Sequence, residues 1–523
     1  MAVSLRSPSP ALCALFLSLA TLSACEKTTP AAPPRQAATP SAAPAGIDWN
    51  EGHVEKAFEE ARKTGKPVLL YWGAIWCPPC NRLKATTFKD PAFVAQTRRF
   101  IAVHLDGDQE EAQRWGERFA VKGYPTILML RPDRSEITRL IGDTTTAQLI
   151  DSLRAAAQRT TSTRQLLDVA LKTPASLTQD DWALLAGYSW LYDNQLVDAK
   201  QAPGVLARLA KTAPQPALQR QFGLLAVLAN RQKPVATPAT HALLQAVIAD
   251  PAEVRANLHV LVPGAATLVA SASDDAHARA KLSEAFNRAL AQAYADPTLP
   301  IVDRLRTASA VIALARLSQG QPEAAEQQEG PQPPLPAAVV ETVHQRVHWA
   351  VAAAKTAEER QSAIESAVDL LVEVGDNSAA EQLLLAELGR SKTPSYYMPY
   401  LGHLAEERGD SKTALSWFKR AYATPGSEGT LVQRGMPYLD AMIRLNPNDA
   451  AAIEALAGQV IGDLAKQPDG YLRKNRRHFD PVGASLQAWS KQHPAQGSAV
   501  LARLRQKAQT TCGGKTDCAA WLG

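Results

Sequence analysis

The sequence predicts an α/β domain near the N-terminus followed by a large all-α region. Between residues 47 and 158, short apolar runs typical of buried strands alternate with helical patterns. The rest of the chain to about residue 508 is rich in Ala and Leu and is interrupted at Pro and Gly. The length of 523 residues is sufficient for several domains.

The order of elements in the α/β part follows from these patterns. Apolar runs bounded by Gly, Pro or Asp are typical of strands, and apolar residues recurring every three to four positions are typical of helices. The predicted order is helix 54–65, strand 68–72, a helix to about 84, a short helix after 91, strand 100–105, helix 110–119, strand 126–130, strand 136–141 and helix 145–157.

The first 24 residues have the pattern of an export signal. Arg6 precedes an apolar run at 11–20 that is too short to anchor the chain in a bilayer. The run leads to LSAC at 22–25, which resembles the lipobox of bacterial lipoproteins. The resemblance implies cleavage before Cys25, lipidation of Cys25 and a protein held at a membrane in the periplasm, with Glu26 favouring the outer membrane. An ordinary secretory signal, with Cys25 unmodified, is the alternative.

Residues 25–46 are rich in Pro and Ala, with almost no large apolar side chain, and predict an extended linker. Cys13 leaves with the signal. The four cysteines that then remain beside Cys25 form two close pairs, as expected in an oxidising compartment.

The first pair, Cys77 and Cys80, stands between a predicted strand and a predicted helix. A helix N-terminus stabilises a thiolate, so a CxxC pair at this place predicts a redox site. Two alternatives are half of a zinc site and a static disulfide. Zinc is disfavoured because the other cysteine pair is far away in the chain and no His lies near either pair.

Two motifs in this order resemble the thioredoxin fold: WCPPC at 76–80 and GYPT at 123–126. The resemblance covers about residues 47–158. The domain further resembles the C-terminal thioredoxin domain of the thiol reductase DsbD and its soluble relatives, with which it shares GKP at 65–67 and TFKDP at 87–91.

The resemblance implies roles for five residues. Cys77 would be the exposed nucleophile and Cys80 the buried resolving thiol. Trp76 would shield the pair on one side. Pro125 would follow a cis peptide bond, which places the Tyr124 backbone beside Cys77 for pairing with an extended substrate. The family needs no cofactor beyond its own cysteines, and no metal is expected.

Two positions depart from the DsbD-type pattern. The position six before the first cysteine, an acid in that family, is Tyr71, and the acid seven after it is replaced by Lys84. Fewer negative charges and one added positive charge favour the Cys77 thiolate and predict a more oxidising couple than thioredoxin. Tyr71 as an ordinary core aromatic is the alternative.

The helical region contains two related segments, Gly375-Asp376 and Gly409-Asp410, offset by 34 residues and each followed by small and apolar residues at helical spacing. They resemble the tetratricopeptide repeat, which implies a solenoid-like body with a concave binding surface. We predict helical domains at 159–320 and 339–508, separated by a Pro-rich loop at 321–338.

The C-terminal tail, 509–523, contains the second cysteine pair. Cys512 and Cys518 predict a structural disulfide, with a second redox centre as the alternative.

His344 and His348 lie four apart on a predicted helix and lack a zinc-protease pattern, so we expect a solvated or packed face. Five aromatic residues lie in the repeat-like part of the helical region, and we expect most of them to pack between helices. A peptide-binding role is the alternative for one or two of them: Tyr396, Tyr397, Tyr400, Trp417 and Tyr422.

These observations predict an exported, membrane-anchored thiol:disulfide oxidoreductase. Its partners would be protein thiols and disulfides of the cell envelope and an upstream electron donor or acceptor. The net charge of +5 is small, and no basic stretch is interleaved with aromatics, so no nucleic-acid partner is expected. The alternative is a protein-interaction scaffold in which the thioredoxin domain is a docking module.

Overall fold

The computed structural model describes residues 46–523, except 143, 159–160, 231–233, 322–332, 427, 467–472 and 513–517. These residues belong to one compact unit. The predicted signal with Cys25, nearly all of the linker and most of the Pro-rich loop lie outside the described residues. Among the described residues, no helix combines the length and the apolar character needed to cross a membrane.

A five-stranded sheet organises the N-terminal part. The strands are β1 (Asn50–Glu51), β2 (Val68–Gly73), β3 (Ile101–Asp106), β4 (Thr126–Leu130) and β5 (Glu136–Ile141). Their order is β1-β3-β2-β4-β5; β1, β3 and β2 run parallel, and β4 is antiparallel to both β2 and β5. β2 lies at the centre with all six residues buried, which accounts for its continuous apolar run.

Five helices accompany the sheet: α1 (Val54–Thr64), α2 (Pro78–Ala85), α3 (Pro91–Thr97), α4 (Glu110–Arg118) and α5 (Thr146–Ala156). A 3₁₀ turn at Thr87–Lys89 connects α2 to α3. The predicted α/β domain is therefore confirmed. The sequence patterns missed β1, because two residues are too short to show an alternation.

The rest of the described chain is helical, as predicted. Its helices are α6 (Thr163–Lys172), α7 (Gln179–Gly187), α8 (Ala202–Thr212), α9 (Pro216–Ala229), α10 (Pro238–Ala249), α11 (Pro251–Leu261), α12 (Ala265–Ala270), α13 (Ala276–Ala295), α14 (Ile301–Ser318), α15 (Ala337–Ala353), α16 (Ala357–Glu373), α17 (Asn377–Leu388), α18 (Met398–Glu407), α19 (Ser411–Ala423), α20 (Glu428–Leu445), α21 (Ala450–Lys466), α22 (Arg473–Gln492) and α23 (Gly497–Thr511). Short 3₁₀ turns lie at Pro174–Ser176, Pro394–Tyr396 and Ala520–Leu522.

The two repeat-like segments have matching local structure. Gly375 and Gly409 adopt φ of 81° and 80°, a left-handed conformation that glycine adopts without a Cβ penalty. Asp376 and Asp410 then begin α17 and α19 by accepting a hydrogen bond from the backbone N–H three residues later, at 3.0 Å in each case. A solenoid arrangement and the domain boundaries within the helical region stay predictions.

Two hydrophobic clusters matter for the site. One is continuous from the α/β domain into α6–α9, and Leu149 and Leu153 of α5 join Trp182 and Leu185 of α7 in it. We call this contact the apolar seam. A second cluster fills the space among α14–α18, and no described residue of the α/β domain belongs to it. The helical region therefore shares its core with the α/β domain at one end only.

Candidate active site

Cys77 and Cys80 are joined by a disulfide at the point where β2 leads into α2. Cys77 is the N-cap residue of α2, and the Cys80 backbone N–H donates a hydrogen bond to Cys77 Sγ over 3.2 Å. Pro78 and Pro79 occupy the first helical positions, where a missing N–H leaves no helical bond unmade. In the reduced state this geometry places a helix N-terminus and a backbone donor at the Cys77 sulfur, which favours the thiolate.

Asn81, a residue that the sequence reasoning missed, holds this turn together. Its side chain is buried. The Nδ2 group donates to the carbonyl oxygens of Ile75, at 2.8 Å, and Cys77, at 3.0 Å. An Asn directly after a CxxC pair is the signal that could have pointed to this role, because its amide reaches back to the turn before the helix.

Trp76 and Tyr124 pack against the two cysteines. The Trp76 Nε1–H donates to both carboxylate oxygens of Asp108, at 3.1 and 2.9 Å, and the Tyr124 hydroxyl donates to the Gly107 carbonyl at 3.0 Å. A Cβ on Gly107 would lie 2.2 Å from the Tyr124 ring, so this close approach needs glycine. The Tyr124–Pro125 peptide bond is cis. Trp76 therefore covers one side of the pair, held by an Asp108 that the sequence reasoning did not single out.

Tyr71 is a core residue. Its ring packs against Trp49, Phe88 and His104, with centroid distances of 5.7, 4.9 and 5.3 Å. Burial, assisted by the nearby Asp106 carboxylate, raises the pKa of Tyr71 far above its ordinary value. The phenol therefore stays protonated at neutral pH, and the alternative interpretation of Tyr71 as a core aromatic fits this packing.

A carboxylate nevertheless lies in this region, supplied by β3. Asp106 is paired in register with Gly73 at the end of β2. Burial lowers the pKa of Lys84, while the carboxylates of Asp106, Glu358 and Glu51 act in the opposite direction. The site has thus not simply lost negative charge, because a residue on the neighbouring strand restores part of it. An acid at the end of the strand beside the central one is the signal that could have suggested this.

The helical region covers the active-site helix. α16 packs against α2, and Gln361 Nε2 donates to the Trp76 carbonyl over 3.1 Å. The Tyr396 ring stacks on the Trp76 indole, with centroids 6.0 Å apart and planes inclined by 20°. We call α16 and the 3₁₀ turn Pro394–Tyr396 the cover.

Cys77 is only 2% exposed and Cys80 is fully buried. The expectation that Cys77 is exposed is therefore wrong for this arrangement, since residues nearly 300 positions away in the sequence pack over the motif. By contrast Ile75, two residues before Cys77, is 48% exposed. Solvent reaches the edge of the site on the Ile75 side.

An ion pair adds to the contact between α2 and the helical region. Arg82 of α2 donates through Nε and Nη2 to the two carboxylate oxygens of Asp303, both at 2.6 Å. Both side chains are largely buried, and Arg82 Nη1 also donates to the Thr144 carbonyl at 3.1 Å. Such a bidentate pair sets the orientation of two elements as well as holding them together.

The remaining predicted residues lie elsewhere. Cys512 and Cys518 form a disulfide close in sequence to Trp521 and Leu522, which are buried in the hydrophobic cluster among α19–α23. His344 lies 3.3 Å from Asp376, and the described residues contain no group of three His, Cys, Asp or Glu side chains suited to a metal ion.

Most of the five predicted aromatics pack within the helical region. The Tyr397 hydroxyl donates to Gln361, the Tyr400 hydroxyl donates to Glu365, and the Tyr422 hydroxyl donates to Asp463. Trp417 stacks under the Arg420 guanidinium. Tyr396 differs, because it alone among the five has a described ring contact with the α/β domain, at Trp76.

Comparison with known proteins bears on the α/β part. A family model described as thioredoxin-like matches residues 48–132. Thiol:disulfide interchange protein DsbD 1 of Pseudomonas aeruginosa is 34% identical over 110 residues, which are 20% of this chain and 19% of that protein. A thioredoxin H-type of Oryza sativa subsp. indica is 29% identical over 94 residues, 18% of this chain and 71% of that protein. A solution structure of a thioredoxin from Thermus thermophilus matches with 25% identity over 21% of this chain and 89% of that chain, at a TM-score of 0.20.

The chain spans about a fifth of the length of the DsbD relative. The matches named above likewise fall on about a fifth of this chain. The sheet, the CxxC disulfide and the family match agree: residues 48 to about 141 form a thioredoxin-like α/β domain, and a large helical region follows it.

Proposed function

We propose that the protein is a thiol:disulfide oxidoreductase of the cell envelope that acts on protein substrates through Cys77 and Cys80. The observation that supports this most is the hydrogen bond from the Cys80 N–H to Cys77 Sγ at the start of α2, 3.2 Å long. It provides the thiolate stabilisation that disulfide exchange requires, inside a thioredoxin-like domain. The DsbD and thioredoxin relatives support the same chemistry.

The exchange has two steps. In the reducing direction the Cys77 thiolate attacks a substrate disulfide; the substrate S–S bond breaks, a mixed disulfide forms and one substrate thiolate leaves. The Cys80 thiolate then attacks Cys77 Sγ, which closes the Cys77–Cys80 disulfide and releases the second substrate thiolate. Two electrons pass from the dithiol to the substrate. The same steps in reverse oxidise a substrate dithiol.

Trapping of mixed disulfides tests this function and its substrates. In Cys80→Ser the second step is blocked, so substrates and the electron partner should stay bound to Cys77 as species that migrate slowly until reduced. Cys77→Ser/Cys80→Ser is the matched control. If Cys80→Ser is expressed at the wild-type level in the intact envelope and captures no protein through Cys77, the result would argue against protein substrates.

The proposed location is the periplasmic side of a membrane, with Cys25 lipidated. The support is the LSAC sequence at 22–25 after a short apolar run, followed by a Pro-rich segment. Radiolabelled palmitate should be incorporated into the wild-type protein and not into Cys25→Ser, and only the wild type should fractionate with membranes. Equal labelling of both would exclude the lipid anchor at Cys25.

We further propose a reduction potential above that of thioredoxin. Tyr71 and Lys84 replace two carboxylates of the DsbD-type pattern, although Asp106 offsets part of this change. Equilibrium titration should give a value higher than about −270 mV, and Lys84→Glu should lower it because a nearby negative charge disfavours the Cys77 thiolate. Lys89→Glu, at an exposed position in the turn after α2, serves as the charge-matched control. A wild-type value at or below about −270 mV contradicts this proposal.

A second candidate function is an interaction scaffold. The burial of Cys77 under the cover favours it, because a docking module needs no exposed sulfur. A solenoid-like helical body that binds substrates or a partner fits both functions. Cys77→Ser separates them: loss of the cellular role supports the oxidoreductase, and full retention supports the scaffold.

A further inference from the structure

The contacts over the disulfide connect two parts of the chain by polar groups and one ring stack. Gln361 is buried and donates to the Trp76 carbonyl, immediately before Cys77. Its Oε1 accepts from the Tyr397 hydroxyl at 3.1 Å and from the Thr393 hydroxyl at 3.3 Å. The amide is therefore held in one orientation by the cover's own elements, aimed at the active-site loop.

Tyr396 lies against Trp76, the residue before Cys77. It stacks on the Trp76 ring, which itself packs against the disulfide, and its hydroxyl donates to Glu365 of α16 over 2.5 Å. Burial lowers the pKa of Arg434 of α20, and the Asp108 carboxylate acts on that pKa in the opposite direction. Asp108 is the residue that holds Trp76. Two helical-region residues thus contact Trp76, Tyr396 at the indole and Gln361 at the backbone carbonyl.

Exchange requires an attacking sulfur to reach Sγ, and access is a condition of reactivity. With Cys77 2% exposed, a cysteine carried on a folded protein has no path to it. Ile75, two residues before Cys77, is 48% exposed, so this edge of the motif is the one in contact with solvent. The closed arrangement therefore discriminates by the size of the reactant.

The attachment of the cover differs from that of the rest of the helical region. The cover packs into the hydrophobic cluster of α14–α18, which contains no described residue of the thioredoxin-like domain. Helices α6–α9, by contrast, share a hydrophobic core with that domain. Moving the cover away from the active-site loop would break the Gln361–Trp76 hydrogen bond, which water can replace, and the Tyr396–Trp76 stack. The Arg82–Asp303 ion pair joins α2 to α14 and is not part of the cover. The apolar seam would stay intact.

We propose that the cover is a gate: closed, it admits only small thiols to Cys77, and protein substrates react after Gln361 and Tyr396 release Trp76. This inference rests on the proposed function and adds regulation of the same site. No external cofactor is needed, because the gate opens by the exchange of polar contacts for water.

Alkylation of the full-length reduced protein in detergent tests the gate without any substrate. In a Cys80→Ser background, Cys77 is treated with N-ethylmaleimide or with a protein-sized polyethylene glycol maleimide, which share one reactive group, and labelling of the Cys77 peptide is followed by mass spectrometry. We expect the bulky reagent to react far more slowly than the small one. In Gln361→Ala/Tyr396→Ala the bulky reagent should gain about tenfold, because one hydrogen bond and one ring stack are lost, and the small reagent should gain much less.

Controls separate gating from damage to the fold. Tyr400→Phe removes a hydroxyl that also donates to Glu365, but this residue has no described ring contact with Trp76, so its labelling ratio should equal the wild-type ratio. Tyr396→Phe keeps the stack and should resemble wild type. If the double variant does not fold, Tyr396→Ala alone, with hydrogen exchange of the α2 amides, provides the same test.

Two outcomes are distinguishable. If the bulky reagent labels wild type and the double variant at the same rate, the gate is refuted. If instead the Cys77–Cys80 disulfide fails to exchange with a glutathione buffer while the labelling ratio behaves as expected, the proposed oxidoreductase function fails and the gate stands.

Discussion

The thioredoxin-like domain meets the helical region in two ways, through the apolar seam at α5 and through the polar cover at α2. In the seam, Leu149, Leu153, Trp182 and Leu185 are almost fully buried, and each such side chain contributes about 1.5–3 kcal/mol. In the cover, each hydrogen bond has a net worth of only about 0.5–1.5 kcal/mol, since water replaces it on opening. The seam is therefore a permanent part of the core, whereas the cover can open without unfolding the protein.

Breaking the seam should have the largest effect. Trp182 is 1% exposed and packs edge-on against Phe222, with ring centroids 6.1 Å apart. Trp182→Ala should lower the free energy of unfolding by about 3–5 kcal/mol, as for other large-to-small changes in a core. Denaturant titration measures it. Tyr192→Ala, at a 52% exposed aromatic, is the control and should change stability by less than about 0.5 kcal/mol. A loss below about 1 kcal/mol for Trp182→Ala would falsify the seam as a core contact.

The packing beneath the cover should be the next most sensitive. Glu387 of α17 is 1% exposed and forms a bidentate ion pair with Arg360 of α16. Glu387→Ala removes the buried carboxylate from a partly buried guanidinium and should cost about 3 kcal/mol. Hydrogen exchange should locate the loss in α16–α18 and leave α7 protected.

The same helix offers a matched control. Glu381 pairs with Arg408 at 2.7 Å on a partly exposed face, so Glu381→Ala should cost less than about 1 kcal/mol. Equal effects of the two substitutions would mean that the Arg360–Glu387 pair does not stabilise the cover.

The ion pair between Arg82 and Asp303 should affect opening more than global stability. Asp303→Asn removes the negative charge of the carboxylate that accepts two hydrogen bonds of 2.6 Å from Arg82. We expect amides of α2 to exchange about tenfold faster, because charge-assisted bonds are worth about 1.5–3 kcal/mol and Asn keeps part of this. Asp274→Asn, at an exposed position, should leave exchange unchanged. Unaltered exchange in Asp303→Asn would show that this pair does not restrain α2.

The smallest effect is a pH dependence at Lys84. Burial lowers its pKa below 10.5, so in the window between the lowered pKa and 10.5 the unfolded chain binds more protons than the folded protein. Stability should therefore rise with pH across that window. In Lys84→Met this rise should be absent. The unfolding free energy of the wild type should therefore increase relative to that of the variant as the pH rises from neutral to about 10.5. Parallel curves would contradict a buried Lys84.

Much of the thioredoxin-like domain was predictable because its signals are local. The apolar run of β2 and the helical spacing in α1 reflect burial of consecutive or regularly spaced residues, and their predicted limits agree within one or two positions. Asn81, Asp106 and Asp108 were missed. Their importance depends on which strand lies beside β2 and which way a turn folds back, and neither is encoded in the spacing of a motif.

By itself the sequence determined the chemistry of the CxxC turn. Cys77 and Cys80 are three residues apart, so the hydrogen bond between them forms wherever a helix begins at Pro78. Only the tertiary structure decided whether that sulfur is accessible. Gln361 lies 285 positions from Trp76, and nothing in the local pattern of either segment specifies their contact. Packing of two separate hydrophobic clusters brings α16 onto α2, and this long-range event turns an exposed motif into a covered one.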